Sequence, residues 1–201
     1  QGMIGYMLAQ RLAQEALMPP VSTVMTRIAV ASNDPAFSAP EKFIGPVYEP
    51  ELQAQLEAEY GWTMKRDGKY LRRVVPSPTP VRIEESESIE RLLGEGHAVI
   101  CCGGGGIPVL ECGRGAEAVI DKDLAAALLA EQINADGLVI LTDADAVYEH
   151  WGTPMQRPIR EATPEALAPF ARNDGAMGPK IAAVSGYVRR RGKRAWIGGL
   201  S

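Results

Sequence analysis

Val119-Ile120-Asp121-Lys122-Asp123 leads straight into Leu124-Ala125-Ala126-Ala127-Leu128-Leu129-Ala130, an uninterrupted apolar helix pattern. The stretch sets a lysine between two carboxylates on the threshold of a helix. Free backbone N–H groups and the helix dipole favour an anion at that end, so a lysine held there is placed for a phosphate. Asp121 and Asp123 are then candidates to orient the lysine or a metal ion. A second reading stands beside this one, with the two acids as N-cap and first-turn residues worth about 1 kcal/mol to the helix start and Lys122 simply solvated.

The same rhythm continues on both sides. Upstream, Ser88 to Leu93 reads as a helix, Ala98 to Cys102 as a buried strand and Gly103 to Gly106 as a turn. Downstream, Asp123 to Ile133 reads as a helix and Leu138 to Thr142 as a strand; Thr163 to Ala171 and Met177 to Arg191 follow as helices, and Ala195 to Ile197 as a short strand. Strands alternating with helices predict an α/β fold whose mainly parallel sheet is covered on both faces. Ligands in such sheets bind beyond the carboxyl ends of the strands, so the glycine turn, the acidic turn after Leu141 and the Gly175 to Lys180 segment should share one edge. Before this rhythm starts, Gly2 to Met18 carries Ile4, Met7, Leu8, Leu12 and Leu17 at helical spacing and is stopped by Pro19-Pro20. Val21 to Val30 then reads as one buried strand. From Ala31 to Arg82 the texture changes, with seven prolines from Pro35 to Pro80, and predicts a loop-rich lobe. Within it Pro50 to Tyr60 reads as a short helix and Lys69 to Val75 as a hairpin strand turning at Gly68.

Composition limits the classes open to the chain. At 201 residues, 46% hydrophobic and 23% charged, it can bury a core as a single globular domain. A net charge of -4 argues against bulk nucleic-acid binding. The longest apolar run, Leu124 to Ala130, is too short to span a bilayer. Three cysteines cannot pair evenly, which fits a reducing, cytoplasmic setting, and Cys101 and Cys102 read as small buried strand residues.

Several segments add chemistry to the opening stretch. Gly103, Gly104, Gly105 and Gly106 bring four residues without Cβ to a turn after a strand, which lets backbone N–H groups approach phosphate oxygens. Lys180 lies in the first turn of a helix introduced by Gly175, with Pro179 where a missing N–H costs nothing. Two lysines at two helix starts supply the point charges that phosphoryl transfer needs. Asp143 and Asp145 follow the strand Leu138 to Thr142 and could orient a lysine, contact a nucleotide or assist a magnesium ion. Arg189-Arg190-Arg191-Gly192-Lys193-Arg194 falls at a helix C-terminus, where cations complement the dipole, and reads as a solvated cap.

These segments together resemble a known family. Cys102 to Val109 (CGGGGIPV), Ala118 to Asp123 (AVIDKD), Leu138 to Asp145 (LVILTDAD) and Gly175 to Ile181 (GAMGPKI) are similar to the carbamate kinases of the amino acid kinase superfamily, as are QGMIGY at the start and Arg72 to Pro80 (RRVVPSPTP). The resemblance implies a three-layer αβα sandwich with a small protruding lobe at about 31–82. It implies transfer of phosphate between ATP and carbamate, used to make ATP from ADP and carbamoyl phosphate with Mg2+ in arginine catabolism, by a cytoplasmic homodimer joined through the first helix region. By motif position, Lys122 and Lys180 are expected to stabilise the transferring phosphoryl group with Asp123 as their organiser. Lys42 is expected to be brought over the site by the lobe, and Thr142, Asp143, Asp145, Val147, Met177 and Gly178 to line the nucleotide pocket. The family's Gly-Gly-Asn-Ala-type opening loop, its His-Gly-Asn-Gly turn and its closing Gly-Thr strand are absent. The expectation is therefore a piece of a longer protein, incomplete at both ends, that turns over little alone because positioning supplies much of the rate. A non-catalytic nucleotide-binding module, and a kinase with another acid or phosphate acceptor, are the alternatives.

Overall fold

The computed structural model describes residues 1–172 and 177–200. Helix α1 (Gly2–Leu12) lies on β1 (Val21–Thr23), and it can do so because Gly5 has no side chain: a Cβ there would sit 2.4 Å from Thr23 Cγ2. Strand β2 (Arg27–Val30) follows after a break. The predicted single strand Val21 to Val30 is thus two strands, which join different sheets. The break is a polar hinge at Thr26, a fully buried residue. Its hydroxyl donates to Val24 O and accepts from Cys102 N, while its backbone N–H and C=O both pair with the side-chain amide of Gln1. The Thr26 carbonyl also accepts the Ile107 N–H at 2.8 Å, so Thr26 ends one pairing, held by remote side chains, and begins the next with the segment Ile107–Leu110.

A 3-10 turn at Pro35–Phe37 leads into β3 (Lys42–Tyr48), a 3-10 turn Pro50–Leu52, α2 (Gln53–Tyr60), β4 (Thr63–Asp67) and β5 (Tyr70–Val75). The expected helix over Pro50 to Tyr60 therefore begins as 3-10, with its proline at the first position. Gly68, at a φ of 62°, turns the hairpin as expected. β3, β5 and β4 form an antiparallel sheet whose own small core is Leu56, Met64 and Leu71. Strand β6 (Pro80–Ile83) then runs antiparallel to β2.

The remaining elements are α3 (Ser86–Gly94), β7 (Ala98–Ile100), a 3-10 turn at Gly103–Gly105, β8 (Ile107–Leu110), α4 (Lys122–Gln132), β9 (Leu138–Thr142), β10 (Val147–Glu149), β11 (Arg157–Ile159), α5 (Pro164–Leu167), a 3-10 turn at Phe170–Arg172, α6 (Met177–Arg191) and β12 (Ala195–Gly199). Parallel pairing joins β1 to β7, β2 to β8 and β9 to β12, in keeping with the sheet that the alternation predicts. Strand β8 has no counterpart in the sequence reading. Its Pro108 and the glycines before it read as loop, yet β8 is the edge strand of β6-β2-β8, where a proline is tolerated. Cys102, expected within a strand, lies past the end of β7 in left-handed backbone at φ 53°. The helix expected over Thr163 to Ala171 breaks into α5 and a 3-10 turn around Pro169.

Helix α4 explains its own sequence. One side packs Ala125 into a cluster with Ile28, Val30, Ile83, Ile89 and Ile120, and another packs Ala127 and Ala130 against Leu138, Ile140, Ala183, Val184 and Tyr187. A helix wedged between two apolar clusters is apolar all round. Tyr187 is fully buried within the second cluster, with its hydroxyl donating to Ala135 O at 2.7 Å.

Candidate active site

The start of α4 is built by Asp121. Its Oδ1 accepts the Asp123 N–H at 2.9 Å and the Leu124 N–H at 3.4 Å, closing the first turn as an N-cap. Its Oδ2 accepts Lys42 Nζ at 2.5 Å, so one carboxylate both caps the helix and holds a lysine of β3. Burial works to raise the Asp121 carboxyl, but the hydrogen bond and charge of Lys42 and the two backbone N–H groups outweigh it and hold the group below its ordinary value.

Asp123 is equally buried and accepts Lys180 Nζ at 2.9 Å; the two side chains are 8% and 7% exposed. Lys180 reaches it from α6, three residues in from Met177. Lys122, between the two aspartates, is exposed and makes no ion pair or hydrogen bond among the described residues. Of the two lysines expected to be organised by Asp123, the structure pairs Lys180 with it. Within the described residues Asp123 engages Lys180 only, and Asp121 engages Lys42. A lysine at the first position of a helix points away from the cap that its neighbour provides, which leaves Lys122 facing outward.

The four glycines of the turn differ from one another in what surrounds them. A Cβ on Gly105, at a φ of 95°, would lie 2.1 Å from Ile120 O and 3.5 Å from Lys122 N. Glycine is thus required at Gly105 for both its conformation and its closeness to α4. A Cβ on Gly106 would lie 2.5 Å from Ile28 Cδ1, and one on Gly103 would lie 3.5 Å from Gln1 Cγ. Gly104 is exposed, and a Cβ on it would meet nothing within 4 Å; its φ of 68° turns the chain without bringing it against α4. The N–H groups of Gly105 and Gly106 donate within the turn, to Cys102 O at 2.9 Å and Gly103 O at 3.3 Å. Those of Gly103 and Gly104 are the two that the turn itself does not use.

At the end of β9, Asp143 Oδ1 accepts from Thr142 Oγ1 at 2.9 Å. Thr142, the group's own backbone N–H and the nearby charge of Lys180 draw the Asp143 carboxyl below its ordinary value. Asp145 accepts the Tyr148 hydroxyl at 2.7 Å and lies beside Gly199 of β12.

Lys42, Asp121, Lys122, Asp123, Lys180, Asp143 and the turn Gly103 to Gly106 thus assemble around the start of α4 and the end of β9. Met177 and Gly178 open α6 one turn before Lys180. Gly175, expected to introduce that helix, lies outside the described residues. Val147 opens β10 and also lines a groove of about 520 Å³ with Val184, Val188 and Trp196, which none of the other expected nucleotide residues lines. From the sequence Asp121 is a cap or a candidate to orient Lys122 or a metal ion. Its hold on Lys42 spans 79 positions, and no local pattern could have disclosed it.

Comparison with known proteins bears on this geometry. Residues 6–199 match the amino acid kinase family. The carbamate kinase of Escherichia coli (strain K12) is 74% identical over 201 residues, covering 100% of this chain and 68% of that protein. Carbamate kinase from Giardia lamblia bound to citric acid superposes with a TM-score of 0.88 at 35% identity, covering 100% of this chain and 67% of that one. The same enzyme bound to AMP-PNP gives a TM-score of 0.83 at 35% identity with the same coverage. The chain thus spans about two thirds of the length of the relatives it matches.

Proposed function

The chain belongs to the amino acid kinase family, as one of its carbamate kinases, and from this we propose that the cluster at the start of α4 carries phosphoryl transfer between ATP and carbamate. In the direction of ATP formation, a terminal oxygen of ADP bonds to the phosphorus of carbamoyl phosphate as the bond from phosphorus to the carbamate oxygen breaks, and carbamate leaves. The observation that carries this reading is the buried Lys180–Asp123 pair between the first turn of α6 and the start of α4. Asp123 fixes the Lys180 ammonium, which neutralises charge developing on the transferred group. Lys122, exposed beside the glycine turn, is its unpaired counterpart among the described residues. Lys42 is carried in by the three-stranded sheet of the 31–82 lobe. Gly103 and Gly104 offer backbone N–H groups to phosphate while Gly105 and Gly106 hold the turn against its neighbours. Thr142, Asp143, Asp145, Val147, Met177 and Gly178 hold the nucleotide.

Among the described residues no three His, Cys, Asp or Glu side chains converge as metal ligands, and Asp121 and Asp123 already hold lysines. Asp143, a carboxylate of the cluster that holds no lysine among the described residues, would take Mg2+ brought on the nucleotide phosphates. When bound, the ion would neutralise charge on the phosphate oxygens. A homodimer through α1, whose Met3, Tyr6 and Met7 are 75%, 65% and 59% exposed, completes the reading, with a cytoplasmic location and a role in arginine breakdown.

The test is coupled ATP formation from ADP, carbamoyl phosphate and Mg2+, run on this chain and on one extended to its relatives' length. Lys180→Met should lower kcat by a factor of about 100 or more. Turnover unchanged in Lys180→Met would overturn the reading. Nucleotide binding without ATP formation in both chains would favour a binding module instead.

A further inference from the structure

The lobe meets the start of α4 through two separate ties. Lys42 stands opposite Val75 in the β3–β5 ladder, and the next residue, Pro76, accepts the Val119 N–H through its carbonyl at 3.0 Å. Two residues on, Asp121 Oδ2 accepts Lys42 Nζ. The ladder therefore sets where the Lys42 backbone lies, and Asp121 sets where its ammonium lies. The Asp121 side chain is 11% exposed and fixed by its bonds to the Asp123 and Leu124 N–H groups, so it is a rigid anchor. The Lys42 side chain is 32% exposed, which leaves its ammonium an open side.

We propose that Asp121 is a positioning residue that places the Lys42 ammonium over the start of α4 with one carboxylate oxygen while its other oxygen keeps that helix start formed. The division of labour follows from the geometry. Asp121 already occupies the Asp123 and Leu124 N–H groups, and Lys122 and Lys180 serve the helix start from α4 and α6, so Lys42 adds a cation from the lobe side. Lys42 comes from a different sheet and would otherwise sample many rotamers. Pairing with a carboxylate already fixed by the helix removes that freedom before the anion arrives. Approach of the phosphoryl oxygens then draws the ammonium by its open side, without any movement of the helix. This rests on the phosphoryl-transfer reading above.

Asp121→Asn separates the two duties, because the amide oxygen still caps the helix while the charge that holds Lys42 is lost. The experiment compares wild type, Asp121→Asn, Lys42→Met and the double variant. It uses two readouts: ATP formation from ADP and carbamoyl phosphate, and the rate at which an acylating reagent labels each lysine, read by mass spectrometry. Asp121→Asn should lower kcat about tenfold with the KM for ADP nearly unchanged, but cost less than about twofold when Lys42 is already Met. Labelling of Lys42 should rise several-fold in Asp121→Asn while that of the exposed Lys65 and Lys69 stays constant. An equal loss of rate in both backgrounds, or unchanged labelling of Lys42, would overturn the proposal. These rates are read in the chain extended to its relatives' length; if neither wild type nor any variant of that chain forms ATP, the phosphoryl-transfer reading falls, and the labelling alone decides whether Asp121 places Lys42. Asp121→Ser, a second cap that cannot reach Lys42, must reproduce the Asn result; if it does not, the proposal also fails.

Discussion

At the scale of single residues, the Lys180–Asp123 pair is costly to disturb. Both groups are over 90% removed from solvent, so deleting one leaves the other charged and unpaired in the interior. Lys180→Met should therefore lower stability by about 3–5 kcal/mol in urea unfolding, and Lys180→Met with Asp123→Leu should recover most of it. A variant as stable as wild type would mean that water reaches Asp123. Asp121 predicts the acid limb. Its carboxyl is held below the ordinary aspartate value in the folded chain, so the unfolded chain binds its proton first and stability falls as pH drops through that range. The contribution is fully present above the ordinary aspartate range and is lost as pH falls through the lowered value of the folded chain. Asp121→Asn should flatten this limb in acid unfolding and leave the neutral region's slope unchanged. At this scale the sequence is informative about identity and poor about pairing. Asp121, Asp123 and Lys180 stand out from their places at helix starts. Which lysine each acid holds is decided by the approach of β3 and α6, and spacing says nothing about that.

At the scale of elements, the turn before β8 and the start of α4 act as one unit because Gly105 brings the two backbones together. Gly105→Ala meets both a positive φ and a carbonyl 2.1 Å from the new Cβ, so the turn must withdraw from the helix. The expected cost is about 2 kcal/mol or more, with a weaker affinity for nucleotide. Gly104→Ala, which has the positive φ but an open surrounding, should cost only about 1 kcal/mol. Calorimetry on the two variants checks both, and an unchanged melting temperature in Gly105→Ala would show that the turn relaxes freely. Elements with strong local signals are legible: Leu138–Thr142 is a run of branched residues closed by a polar turn, and Met177–Arg191 carries its apolar face through to a basic end. The break at Thr26 is not, because the groups that satisfy it come from Gln1 and Cys102, 25 and 76 positions away. Strand β8 is hidden for a related reason. Four glycines and a proline carry the local character of a loop, and only pairing with β2 makes that segment extended.

At the scale of the whole molecule, apolar surface is unevenly distributed. Beside the exposed face of α1, Val139, Leu141 and Trp196 project from one side of the β9–β12 pair and are 59%, 55% and 50% exposed. Parallel strands are ordinarily covered on both faces, so this surface, like that of α1, is a region where a further layer or a second copy would be accommodated. If α1 forms the homodimer, Tyr6→Glu with Met7→Glu should convert a sedimenting dimer to monomer without altering the helix content. A dimer that persists in the double variant would move the interface elsewhere. Among the described residues no helix is long and apolar enough to cross a membrane, in keeping with this distribution of surface. The position of α4 has a last consequence. Because its alanines are shared between the cluster on β2 and the cluster on β9, neither half of the core has a complete inner wall without it. The two halves are therefore thermodynamically joined. Loss of α4 dissolves both at once, and the hydrogens of its amides exchange with solvent only through the cooperative opening of the entire core.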